Sequence, residues 1–293
     1  SNGALTIVLD CSGSMGPSPG HSFGPATKFN EATNALRGML RALPKGVTVS
    51  LWVFGQARGP GKTVTDVERT VERIQEPIRW NPDDPAQLAA VMDKVSYPAL
   101  EPWNESPIMH AILKAKEDLR AATGFKTLLV ITDGMDNRFA HDRALNPEHK
   151  DIPTALRDAF WNSGIEVNVV GFKVVSAEEK KAEEQFKTVA ELPVPGKFYT
   201  VNDSTVLATV LDKAMRQRLR YWIDTPENVL AAGMPAAGLD VSRSGAGDQW
   251  FQSGLNPGLY KMWVHANRRL EATIAATPGD LLLMKLASLD RGL

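Results

Sequence analysis

The chain has 293 residues, 43% of them apolar, enough for a large buried core and in keeping with one large domain or a domain plus an appendage. Its 33 basic and 34 acidic residues leave a net charge of -1, which gives no overall pull toward nucleic acid or an anionic membrane surface. A single cysteine rules out an internal disulfide, CxxC zinc patterns are absent, and no apolar run approaches the ~20 residues that span a bilayer.

Ser1-Asn2 reads as a cleavage scar, so the chain is expected to be a piece of a longer protein; its compartment stays open, with extracellular, periplasmic and cell-surface placements as the options. Short β-branched runs then alternate with segments of helical spacing, the rhythm of βαβ units. Strands are expected at residues 5–9, 47–54, 128–132, 166–172 and 197–201, and helices at 29–43, 107–121, 153–162, 177–191 and 204–218. Residues 70–80 follow the second strand closely and should pair with it antiparallel at an edge. Val8, Val49, Val130 and Val169 lie in runs apolar on both sides, as parallel strands covered on both faces require. The expected architecture is a three-layer α/β fold built on an open, mostly parallel, doubly wound sheet.

A boundary falls near Tyr221, dividing the chain into 1–220 and a β-rich segment 221–293. In the latter, residues 259–264, 270–275 and 281–286 read as hairpin strands, the last two joined by Thr277-Pro278-Gly279-Asp280. So short a β segment is expected either to pack on the α/β domain or to belong to a truncated sandwich-like β domain.

Three places carry candidate chemistry. The first strand runs into Asp10-Cys11-Ser12-Gly13-Ser14-Met15, which brings one carboxylate and two hydroxyls to a single loop, with Gly13 allowing a tight turn. The strand Leu128-Leu129-Val130-Ile131-Thr132 ends in Asp133-Gly134, and in open α/β sheets ligands gather outside the carboxyl ends of strands. Between them, Ser106-Pro107 opens a helix, with Ser106 suited to the N-cap, Pro107 to the first helical position, and the Ser106 hydroxyl as a third neutral oxygen.

The DxSGS loop, a hydroxyl residue opening a mid-chain helix, and a strand ending Thr-Asp-Gly together resemble the von Willebrand factor type A domain with its metal-ion-dependent adhesion site. The resemblance covers residues 3 to 220. It implies that Ser12 and Ser14 bind the cation directly, that Asp10 and Asp133 bind it directly or through water, and that Ser106 supplies the remaining hydroxyl. The family usually has Thr where this chain has Ser106, so the hydroxyl is kept and a rotamer-restricting methyl lost. Such an all-oxygen set suits Mg2+ or Mn2+, whose open position would take an Asp or Glu carboxylate from a protein partner.

Two alternatives use the same residues. A Mg2+-dependent phosphatase or hydrolase would make Asp10 the nucleophile, yet phosphoryl-transfer sites commonly carry a second acid where Ser12 stands, and a Gly-x-Ser-x-Gly elbow needs glycine there. The other alternative is a scaffold of the same fold that has lost its metal. Cys11 reads as a small buried residue and His110 as a helix-face histidine. Asp136, Asn137 and Arg138 either line the site or serve the turn. Trp103 either packs under its loop or anchors a partner, and His21 and Phe23 sit on a long Gly- and Pro-rich loop that is either partner surface or a disordered tip. The run 177–184 reads as a solvated helix with i,i+4 pairs, and 215–220 as a basic helix end.

Overall fold

The computed structural model describes residues 3–43, 45–57, 67–122 and 126–215, together with strands between Leu219 and Lys285. The chain divides into two compact units, of which the larger comprises Ala4–Ala122 and Lys126–Met215.

The larger unit is built on a six-stranded sheet of β1 (Ala4–Asp10), β2 (Thr48–Phe54), β4 (Glu72–Arg79), β6 (Lys126–Thr132), β7 (Ile165–Phe172) and β8 (Phe198–Val201). Their order is β4-β2-β1-β6-β7-β8, parallel except for β4, which runs antiparallel to β2 at one edge. All seven residues of β1 and all eight of β7 are buried, Glu166 and Asn168 of β7 included, so these strands are packed on both faces.

The helices are α1 (Lys28–Ala42), α2 (Pro85–Val95), α3 (Ile108–Ala115), α4 (Ile152–Phe160), α5 (Ser176–Phe186) and α6 (Ser204–Met215). On one face of the sheet, Ile108 and Ile112 of α3, Leu156 and Phe160 of α4, and Phe186 at the end of α5 share a core with Val8, Leu128, Val130, Val167 and Val169. Burying each such side chain contributes roughly 1.5–3 kcal/mol, which is what holds short helices of marginal intrinsic stability in place. α6 packs against α1 and against β7 and β8. Trp80, fully buried at the end of β4, donates its indole N–H to Leu40 O at 2.8 Å and so fixes the end of α1 to the sheet edge.

One helix goes beyond the sequence expectation. α2 starts on Asp84, whose carboxylate accepts the N–H groups of Ala86 at 3.0 Å and Gln87 at 3.3 Å, with Pro85 at the first position. Only Val91, Met92 and Val95 of it are buried, too thin an apolar stripe to stand out in the sequence. In α5, Ala182 and Phe186 are buried beneath an otherwise solvated charged helix, as expected. Of the basic stretch 215–220, residues 216–218 lie outside the described residues, and Leu219 and Arg220 open a strand rather than end a helix.

The smaller unit contains two antiparallel-based sheets. The expected hairpin of residues 259–264 and 270–275 is present as β13 (Gly258–His265) paired with β14 (Arg269–Ala276). The second expected hairpin is not made: β15 (Leu281–Lys285) pairs in parallel with β9 (Leu219–Asp224), in the other sheet. Turn residues favour a reversal of direction, but they do not decide which sheet the next strand joins; its pairing partner does. The connecting residues 277–280 lie outside the described residues.

Candidate metal centre

The carboxyl ends of β1 and β6 are adjacent in the sheet, which brings Asp10 and Asp133 to one edge. Asp10 is fully buried, and both its oxygens are engaged: Oδ1 accepts the Ser12 N–H at 2.6 Å and Oδ2 accepts the Thr132 hydroxyl at 2.6 Å. Asp10 thereby shapes the loop that follows it. The Ser12 and Ser14 hydroxyls lie 3.1 Å apart, and the Ser14 hydroxyl donates to Asp133 Oδ1 at 2.7 Å. Asp133 Oδ2 receives the Lys28 ammonium at 2.7 Å.

Two glycines let the loop settle there. A Cβ on Gly13 would stand 2.9 Å from Trp103 O, so Gly13 is needed for close approach of two backbones rather than for the tight turn expected of it. Gly55, at the end of β2, has φ +79, and a Cβ there would stand 2.7 Å from Ser12 Cα and 2.8 Å from Ser12 N. The backbone N–H groups of Cys11 and Gly13 donate to Phe54 O and Asn104 O, both at 2.8 Å. The neighbouring β2 and Trp103–Asn104 segments therefore hold the loop in place, and a short pairing of β3 (Gln56–Ala57) with β5 (Glu101–Pro102) ties those two segments together.

Ser106 reaches the site by a route other than the one expected. α3 begins at Ile108 with Pro107 in the cap position, and it is Asp136, from the loop after β6, whose Oδ2 accepts the Met109 N–H at 2.7 Å. A buried carboxylate is a stronger acceptor than a hydroxyl, so Asp136 takes the capping role. Its Oδ1 also accepts the N–H groups of Arg138 and Phe139, at 2.8 and 2.7 Å, and burial pushes its pKa up against the pull of these bonds. The Ser106 N–H donates to Asn137 Oδ1 at 3.0 Å, and Ser106 lines a cavity of about 560 Å3 together with Ser12 and Ser14.

Asp10 and Asp133, each almost wholly buried, adjoin this cavity through the Ser12 N–H bonded to Asp10 and the Ser14 hydroxyl bonded to Asp133. Burial first, and then the charge on Asp133, raise the Asp10 pKa from 3.8 to about 7, outweighing the hydrogen bonds from Ser12 and Thr132 that lower it. Two carboxylates in one buried site favour a positive charge beside them, and the Lys28 ammonium supplies one at Asp133. Carboxylate and hydroxyl oxygens are hard donors of the kind that Mg2+ or Mn2+ takes, and Asp10, Asp133, Ser12, Ser14 and Ser106 would be the residues to hold such an ion. Among the described residues there is no cluster of three or more His, Cys, Asp or Glu side chains able to hold a metal, so any such centre depends on the hydroxyls.

The cavity rim is formed by Trp103, Asn104, Glu105, Met135, Asn137 and Glu178. Trp103 is 51% exposed, which corrects the reading that buries it under its loop. Arg138 pairs with Glu68 and Glu105, both at 3.0 Å, and holds that rim rather than entering the floor. Phe23 stacks on Tyr97 with ring centroids 4.0 Å apart, which anchors the long first loop. Cys11 is buried, and His110 sits on α3 with Nδ1 3.4 Å from Asp142 Oδ2, burial lowering its pKa. The sequence reading missed Thr132, Gly55 and Lys28. Thr132 and Gly55 adjoin recognised strand ends, whereas Lys28 is eighteen positions beyond Asp10 on a different element and carries no local signal.

The strand order, with its single antiparallel edge, is that of the von Willebrand factor type A fold. No family model and no curated protein matches the chain by sequence. Among solved structures it is similar to the pilus adhesin SpaC from Lactobacillus rhamnosus GG, with a TM-score of 0.53 at 11% identity over 94% of this chain and 44% of that one. It is also similar to the PilB minor pilin from Streptococcus sanguinis, with a TM-score of 0.52 at 15% identity over 72% of this chain and 59% of that one. A von Willebrand factor type A structure from Catenulispora acidiphila aligns at a TM-score of 0.49 and 14% identity over 96% of this chain and 66% of that one. The chain thus spans about half the length of the two pilus proteins.

Proposed function

We propose that this protein is a non-enzymatic, divalent-cation-dependent protein-binding module of adhesion or scaffold type. Mg2+ or Mn2+ would be held by Ser12, Ser14 and Ser106, with Asp10 and Asp133 bound directly or through water. The observation that carries the proposal is one open cavity lined by Ser12, Ser14 and Ser106 from two separate loops, with buried Asp10 and Asp133 bonded to Ser12 N–H and the Ser14 hydroxyl. A metal so placed keeps a position facing solvent, and a partner's Asp or Glu carboxylate would fill it. The half-exposed Trp103 at the rim offers that partner an aromatic contact of the kind enriched at binding hot spots.

Asp10 is poorly placed to be a nucleophile. It is inaccessible, and each of its oxygens already accepts a short hydrogen bond, which supports binding over catalysis. The likeness to a pilus adhesin and a minor pilin agrees with an adhesive role on a cell surface, as part of a longer protein. Among the described residues no helix is long and apolar enough to cross a membrane. A second reading, a scaffold without metal, draws support from the Lys28–Asp133 pair, since an ammonium already supplies one positive charge. It gives no reason for Ser12, Ser14 and Ser106 to line one cavity beside that pair.

Selection from a random peptide library in Mg2+ provides the test. The expected binders carry Asp or Glu, lose binding when that residue becomes Asn or Gln, and are released by EDTA. Binders that show no acidic preference and persist in EDTA would contradict the proposal.

A further inference from the structure

Lys28 is the first residue of α1, where a positive charge works against the helix dipole. Its ammonium is drawn instead to Asp133 Oδ2, 2.7 Å away, with the Asp133 side chain fully buried and Lys28 only 24% exposed. The other Asp133 oxygen accepts the Ser14 hydroxyl, so one carboxylate bridges Lys28 to the DxSGS loop. The loop leading into α1 is braced, the Gly24 N–H donating to Thr27 Oγ1 at 3.0 Å and the Asn30 side chain to Gly24 O at 2.7 Å. The lysine is therefore held at the site by structure on both sides.

From this geometry we infer that Lys28 is a tethered cation that competes with the divalent metal for Asp133 and sets the charge of the loaded site. This rests on the proposed metal centre. Without metal, the ammonium partly neutralises the Asp10–Asp133 pair and keeps Asp133 oriented. With metal bound, a charge of two joins that of Lys28 beside two carboxylates. The surplus weakens the hold on the metal and strengthens the demand for an outside anion. Lys28 would thus trade metal affinity for affinity toward a partner's carboxylate, acting as a positioning residue rather than a ligand.

Calorimetric titration of the full chain with MgCl2 tests this in wild type, Lys28→Met and Lys28→Gln, the last retaining a hydrogen-bond donor without charge. Both variants are expected to bind Mg2+ more tightly, on the order of tenfold. Their metal-free melting temperatures should fall below that of wild type, and Mg2+ should restore more than it adds to wild type. A lysine that serves only packing would lower the melting temperature without tightening Mg2+. Binding by the variants alone would uphold the competition for Asp133 but overturn both the loaded site in the wild-type protein and the proposed metal-dependent function. Equal or weaker binding by both folded variants, with wild-type binding intact, overturns the role of Lys28 and leaves the metal centre standing. Absence of Mg2+ binding in all three proteins overturns both.

Discussion

Mg2+ at one hundred times its dissociation constant is expected to stabilise the wild-type protein by about 2.7 kcal/mol and to leave Asp10→Ala unchanged. Asp10 accepts the Ser12 N–H and the Thr132 hydroxyl, so its removal takes away a charge and also releases the loop that presents Ser12 and Ser14. The effect should depend on pH in a determined direction. In the metal-free protein the Asp10 pKa is raised from 3.8 to about 7, so its favourable contribution is complete below 3.8 and is lost as pH rises toward 7. A cation binds the ionised form and must displace a proton at lower pH. The stabilisation by Mg2+ should therefore be full above pH 7 and should shrink as pH falls below it, while Asp10→Asn shows neither trend. Thermal unfolding at pH 8 and pH 5.5, with and without Mg2+, measures both. A wild-type shift that persists in Asp10→Ala, or that grows toward acid, would contradict the account.

Gly55→Ala is expected to destabilise the protein by about 2–4 kcal/mol, combining the cost of a left-handed conformation with overpacking. The estimate is large because the added Cβ would meet backbone, Ser12 Cα at 2.7 Å, Ser12 N at 2.8 Å and Glu105 O at 3.0 Å, rather than a side chain able to swing away. Relief requires the DxSGS loop and the Glu105–Ser106 segment to part, so Mg2+ affinity should fall along with stability. Denaturant unfolding and Mg2+ titration of the variant provide the check. A stability within 0.5 kcal/mol of wild type would show that the close approach of β2 to this loop is not needed.

The sheet was legible because its strands are mostly apolar runs, a pattern that buried parallel strands impose and loops do not. Asp10, Ser12, Ser14 and Asp133 stood out as candidates because each lies at or just beyond a strand end, where chain order alone places residues at one rim. Ser106 was found for a partly mistaken reason: its serine-proline sequence reads as a helix cap, yet Asp136 caps α3 and leaves the serine at the cavity. Lys28 and Gly55 were illegible because their roles arise from tertiary approach, an ammonium reaching from α1 to β6 and a glycine pressed against a neighbouring loop. The pairing of β15 with β9 was hidden for the same reason, since local turn chemistry says nothing about which distant strand supplies the partner.

The central claim is a divalent ion seated in the cavity lined by Ser12, Ser14 and Ser106. Anomalous diffraction from crystals grown with MnCl2 locates such an ion without reference to any partner. The account predicts a peak within coordination distance of Ser12 Oγ and Ser14 Oγ, facing Ser106 Oγ, with Asp10 and Asp133 beside it, and its loss in Asp10→Ala crystals. Manganese density absent from this cavity at saturating metal, or placed only elsewhere on the protein, would contradict it.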